Sequence, residues 1–185
     1  MSLIILGVVI VALLTVIFIY NRLVGMRANV RQGRADIDAQ LRQRHDLVPN
    51  LVATVQGYAT HEKSTLDAVV AARNSALSAA GPQAAAQAEA GLSGALKNLF
   101  ALAENYPDLK ANVNFQSLQN ELADVEDKLA ASRRALNSAS ADYNAARESF
   151  PAVLFANMLG FGEEKMWELS AEERPSVEAA PQIKF

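Results

Sequence analysis

The chain has no cysteine. That absence excludes a disulfide framework, thiol catalysis and any cysteine-based metal site, and it fits a cytoplasmic domain. Histidine is nearly as scarce, with only His45 and His61. On one helix they would point about 160° apart, so they cannot share a metal without help from a kink between them. There is no surplus of positive charge: 17 Lys and Arg stand against 20 Asp and Glu, a net charge of −3. The deficit comes from residues 161–185, where six glutamates face Lys165, Arg174 and Lys184. The balanced remainder leaves no electrostatic footprint for nucleic acid. No glycine-rich phosphate loop occurs, and no serine sits in a nucleophile-elbow context. Asp36 and Asp38 with Arg42 and Arg44 have the spacing of helix-surface ion pairs, not of an acid–base couple. No catalytic residue, cofactor or metal is expected.

Charge is also missing from Leu3 to Ile19, and there the lack is informative. Fourteen of these residues are Leu, Ile, Val or Phe, and the only hydroxyl, on Thr15, can bond back to its own helix. With Tyr20 the stretch makes a helix of ~27 Å, close to the hydrocarbon thickness of a bilayer. Each large apolar residue favours insertion by roughly 0.3–0.6 kcal/mol near the helix centre, and nothing opposes the sum. A cleavable signal peptide fits poorly, because no basic region precedes the run and it exits through Tyr20-Asn21-Arg22 without a small-x-small site. A core helix without a polar face is unexpected in so small a protein. A single transmembrane anchor over residues 1–20 is the reading.

Arg22, Arg27, Arg31 and Arg34 follow the run, and no acid appears before Asp36. A membrane-proximal basic flank stays on the cytoplasmic side, so the short N-terminus is expected outside and the domain inside. The same arginines can reach anionic headgroups of the lipid bilayer.

After the anchor the chain is rich in Ala, Leu, Gln and Asn and poor in β-branched residues, which points to helix throughout. Apolar residues at Val30, Ile37, Leu41, Val48, Val52, Val55, Ala59, Leu66, Val69 or Val70, and Leu77 form one stripe. They predict a long first helix to about Ala80, kinked at Pro49, which removes the amide that would bond the His45 carbonyl. Gly81-Pro82 stops it. A second helix is expected over Gln83 to Asn105, with Leu92, Leu96, Leu99 and Ala103 inward, followed by a turn at Tyr106-Pro107-Asp108-Leu109. Asn112 or Asn114 can cap a third helix. Its inward face reads Phe115, Leu118, Leu122, Val125, Leu129, Ser132, Leu136, Ala139, Tyr143, Ala146 and Phe150 in alternating steps of three and four. Pro151 ends it, and a short helix is expected through Met158.

The predicted architecture is all-α: a transmembrane helix, a helical juxtamembrane stalk over 21–36, an antiparallel bundle of long helices over 37–160, and an acidic, mostly disordered tail over 161–185. The stalk carries Leu23, Val30 and Ile37 at intervals of seven. A lone helix of that length is marginal in water. Its stripe therefore calls for a partner, which can be another copy, a different protein or the headgroup layer. A homo-oligomer is expected, with copies touching along the span, the stalk with its three residues, and the flank of the long first helix.

Asp36-Ile-Asp-Ala-Gln-Leu, then Arg44-His-Asp-Leu-Val-Pro-Asn-Leu-Val, Thr54-Val-Gln-Gly-Tyr and His61-Glu62 resemble the signature of the LemA family. Tyr106-Pro-Asp-Leu-Lys, Asn114-Phe-Gln-Ser-Leu-Gln, Tyr143-Asn144 and Phe150-Pro151 continue the resemblance in order, over Tyr20 to Phe161. Leu136-Asn137 departs from it, since the family usually has Tyr-Asn there. The motif residues of most interest are Arg44, His45, Asp46, Pro49, Asn50, His61 and Glu62. The resemblance implies a bacterial single-pass inner-membrane protein with a helical cytoplasmic domain and no established enzymatic activity. It also implies kinship with a branch associated with membrane remodelling in magnetosome formation. The reading is a membrane-anchored scaffold that self-associates and organises the inner membrane or partner proteins. Its rival is a monomeric adaptor presenting the bundle or the acidic tail to a protease, a sensor or another protein partner. An enzyme would need a polar pocket around His45, Asp46 and Asn50.

Overall fold

The computed structural model describes residues 1–167. Among them there is no strand. The helices are α1 (Ser2–Gln56), α2 (Lys63–Ser78), α3 (Pro82–Ala103), the single turn α4 (Pro107–Lys110) and α5 (Val113–Glu148), followed by a 3-10 turn at Ala152–Leu154. The chain divides into two compact units. One combines Met1–Ala39 with Leu129–Trp167, and the other is built on Gln40–Lys128. This partition differs from the expected stalk and bundle because α1 and α5 each contribute to both units.

In the first unit α1 begins with the apolar stretch, where Thr15 Oγ1 donates to the Val11 carbonyl at 2.8 Å. Its side chains are exposed until Ile19, apart from the half-buried Val16. Beyond it the structure corrects the expectation of a solitary stalk. Leu23, Val30 and Ile37 are 1%, 0% and 1% exposed, covered by this same chain. Their partner is α5, which runs antiparallel to α1 and brings Leu129, Leu136 and Tyr143 into the same buried layer. The helices approach closely at Gly33, where a Cβ would stand 3.2 Å from the Leu136 Cα. Any side chain there would push the pair apart. The three proposed self-association residues are thus core residues of the chain itself.

The second unit corrects the first helix. It ends at Gln56, not near Ala80, and α2 starts afresh at Lys63. Gly57 lowers helix propensity by about 1 kcal/mol relative to Ala. The loop it opens is held by its own bonds: Asn112 Nδ2 donates to Tyr58 Oη at 2.8 Å, and Tyr106 Oη donates to Glu62 Oε1 at 3.0 Å. Ala59 is buried in the loop, and Leu66 resumes the stripe seven residues later, so the periodicity passes over the break. Pro49 lies inside α1 without ending it. Val48, Leu51, Val55, Leu66, Val69, Leu92, Leu96, Leu99, Leu109, Phe115 and Leu122 make the core. Leu77 is exposed, and Ala76 takes the inward place. Asn112 caps α5, its Oδ1 accepting the Phe115 amide at 3.0 Å.

At its far end α5 stops at Glu148, so Phe150 leaves the helical phase and is 80% exposed rather than inward. The expected short helix is only a 3-10 turn followed by further turns. Gly160, at φ 79°, lets the chain reverse, with the Phe161 amide closing on the Ala156 carbonyl at 2.9 Å. Residues 161–167 carry no helix, yet they are fastened to α5, which corrects the start of the expected disordered tail. The rest of that tail, residues 168–185, lies outside the described residues.

Candidate functional site

Each unit contains one polar constellation. In the second unit the stripe of α1 has its slot between Leu41 and Val48 filled by Arg44 and His45, both buried. On α3 the lone acid among the uncharged residues 82–96 is Glu89, in step with Leu92, Leu96 and Leu99. It is buried as well, and its two carboxylate oxygens divide the neighbours between them. Glu89 Oε1 lies 2.6 Å from His45 Nε2, and Oε2 accepts from Arg44 Nη1 at 3.3 Å. Arg44 Nη2 also donates to Ser93 Oγ at 2.8 Å and lies 3.2 Å from Glu126 Oε2 on α5. Adjacent helical residues normally diverge. Here the reach of the guanidinium and the breadth of the carboxylate bring both to one acid. The three side chains are 3–7% exposed, and with the half-exposed Glu126 they tie three helices together.

Pro49 completes the arrangement through the backbone. The His45 carbonyl, which has no amide partner four residues on, accepts Arg73 Nε from α2 at 2.7 Å. The part-buried bond from Arg73 thus takes the place of the backbone amide that the proline removes. The other motif residues do not join the cluster. Asp46, Pro49, Asn50 and His61 are exposed, and Glu62 holds Tyr106 in the loop below α1. That bond to the carboxylate raises the Tyr106 pKa above 10.0, with burial and the Glu62 charge adding to it. Among the described residues no three His, Asp or Glu side chains are grouped to hold a metal.

The first unit's constellation fastens residues 161–167 to α5. Asn144 binds both backbone groups of Glu164, its Oδ1 taking the amide at 3.0 Å and its Nδ2 reaching the carbonyl at 2.8 Å. Asn137, one heptad earlier, does the same for Trp167 at 2.6 and 3.0 Å. Between them Tyr143 Oη donates to the Gly162 carbonyl at 2.9 Å. The Glu164 carboxylate meets Arg27 Nε at 3.2 Å and Arg34 Nη2 at 2.6 Å, both from α1. Arg133 stacks over Trp167 at 5.2 Å. Burial raises the Tyr143 pKa above 10.0, Arg27 and Arg147 opposing and Glu164 reinforcing. Two of the four flank arginines, Arg27 and Arg34, are therefore engaged by an acid of the chain. Arg22 and Arg31 stay exposed.

Sequence reasoning missed Glu89, Arg73, Glu164 and the two asparagines. Glu89 was discoverable from its phase in an otherwise apolar stripe. Asn137 and Asn144 each follow a core position of α5 at an interval of seven. Nothing local to Arg73 marks it.

A helical protein with, among the described residues, one apolar helix long enough to cross a membrane, and with Arg44 and His45 of its motif used to join helices, is the class these features define. The chain belongs to the LemA family, whose model matches residues 33–185. It is 26% identical to magnetosome protein MamQ of Magnetospirillum gryphiswaldense, over 91% of this chain and 71% of that protein. It is 24% identical, at the same coverage, to magnetosome proteins MamQ 1 and MamQ 2 of Paramagnetospirillum magneticum.

Proposed function

We propose that the chain is a membrane-tethered structural protein of the bacterial inner membrane. Residues 3–19 span the bilayer once, and the helical units that follow stand on the cytoplasmic side. There they hold a protein partner or the membrane itself in place and carry out no chemistry. The observation that carries this reading is the exposure of the apolar stretch. Large side chains from Leu3 to Phe18, Val16 excepted, are exposed, on a helix that continues without a break into one whose stripe is buried. A soluble core helix would be covered, and a cleavable leader would not share its helix with a packed core. Arginines at 22, 27, 31 and 34 support the cytoplasmic orientation. The magnetosome relatives support a role at a membrane. Protease added to intact spheroplasts should leave the helical units uncut, and digestion from outside would invert the topology.

The burial of Leu23, Val30 and Ile37 favours the monomeric adaptor over the self-associating scaffold, since one copy already covers its own stripe. Native mass in lipid nanodiscs decides between them. A single copy leaves the adaptor. Several copies restore the scaffold, held at a surface other than those three residues.

A further inference from the structure

Residues 149–162, Ser-Phe-Pro-Ala-Val-Leu-Phe-Ala-Asn-Met-Leu-Gly-Phe-Gly, contain no charged side chain. The structure sorts them into two faces. Ala152, Ala156 and Phe161 are buried against the first unit. Phe150, Val153, Leu154 and Met158 point away from it, at 80%, 48%, 62% and 86% exposure. A cluster of large apolar side chains left outward in this way marks a contact with something apolar. Its position along α1 says what. Phe150, Pro151 and Ala152 share a groove with Phe18, Ile19, Arg22 and Leu23, where the uncharged stretch gives way to the basic flank. The Phe161 ring meets the Tyr20 ring edge-on at 5.3 Å, at the same level. The outward apolar face therefore lies beside the end of the apolar stretch and continues its exposed surface.

We propose that residues 150–158 form a second membrane contact, with Phe150, Val153, Leu154 and Met158 entering the headgroup–acyl boundary of the leaflet through which α1 emerges. The inference rests on the reading of residues 3–19 as a span. It adds a lateral foothold to that span: an apolar wedge entering one leaflet only, in the manner of an interfacial segment. With two contacts side by side, the first unit is held at a fixed inclination to the membrane surface. A span alone would leave it free to tilt.

The lack of cysteine makes the test direct. Single substitutions Val9→Cys, Leu154→Cys, Met158→Cys and Ala35→Cys are made in the full chain, all at exposed positions. Each is labelled with an environment-sensitive fluorophore and reconstituted into phosphatidylcholine–phosphatidylglycerol vesicles. The vesicles carry nitroxide lipids labelled either near the carbonyl or near the bilayer centre. Unchanged Trp167 emission confirms that each variant keeps its fold. Labels at Leu154 and Met158 should be quenched several-fold more than at Ala35, and more by the shallow nitroxide than by the deep one. Val9 should show the reverse depth order. Quenching at Leu154 and Met158 no greater than at Ala35, with Val9 still deep, would overturn the second contact and leave the span intact. Deep quenching at Leu154 equal to that at Val9 would also overturn it, because the segment would then lie in the hydrocarbon core. An unquenched Val9 would remove the span, and this inference with it.

Discussion

Pro49 frees the His45 carbonyl, and Arg73 claims it from another helix at 2.7 Å. The two residues should therefore be coupled. Arg73→Met leaves a buried carbonyl underbonded and should lower stability by about 1–3 kcal/mol. In a Pro49→Ala background the new amide can take that carbonyl, so the same change should cost about 1 kcal/mol less. Urea unfolding of the four proteins in the cycle measures the coupling, and strict additivity would dissociate Arg73 from the proline. The neighbouring acid is a harsher case. Glu89→Ala strands a guanidinium and an imidazole in the interior, a loss of about 3–5 kcal/mol by the general behaviour of broken buried pairs. The double change Arg44→Met with Glu89→Leu should recover most of it. If it does not, the cluster contributes more than packing, and the proposal that the protein carries out no chemistry has to be reconsidered.

At the level of elements, residues 161–167 are held as an extended peptide along α5, by side-chain amides that imitate a neighbouring strand. Asn137 and Asn144 each supply one donor and one acceptor, so neither can be replaced by an isosteric acid without losing the donor. Trp167 is the only tryptophan and sits at the end of this segment. Asn137→Ala should shift its emission to the red and increase its quenching by acrylamide, while helix content stays the same. Asn144→Ala should loosen Glu164 and, through it, the grip on Arg27 and Arg34. Unaltered Trp167 emission in the Asn137 variant would show that stacking by Arg133 alone positions the ring.

Across the whole molecule, alkaline pH should act through Tyr143 together with Tyr106, and Tyr143 is the one held chiefly by burial. Its folded pKa is raised by burial, so the folded state keeps the proton that the unfolded chain releases above pH ~10. Its contribution to stability is complete below that value and falls as pH rises towards the folded pKa. The decline should be shallower in Tyr143→Phe, as read from urea midpoints across that range. Helix class, the apolar stretch and most core positions were legible in the sequence, because spacing of three and four records burial directly: Leu92, Leu96, Leu99, Leu129 and Leu136 are all inside. The break at Gly57 was not, since seven residues from Ala59 to Leu66 preserve the phase through a loop as well as through a helix. Nor was the partner of Leu23, Val30 and Ile37, because a periodic stripe states that something covers it and not what. Glu164 escaped for a related reason: its partners lie far away in sequence and leave no local mark, whereas Glu89 carried a signal in its phase but not the identity of its partners. The pairing of Gly33 with Leu136 has a consequence in time. Their separation is about a hundred residues, and at ~5–20 residues per second of synthesis the ribosome needs ~5–20 s to make the second after the first. Throughout that interval α1 exists with its stripe uncovered, and on the proposed reading of residues 3–19 as a span, the span is complete before its companion helix has been made. The core of the first unit therefore closes late, when α5 docks onto a helix made long before it.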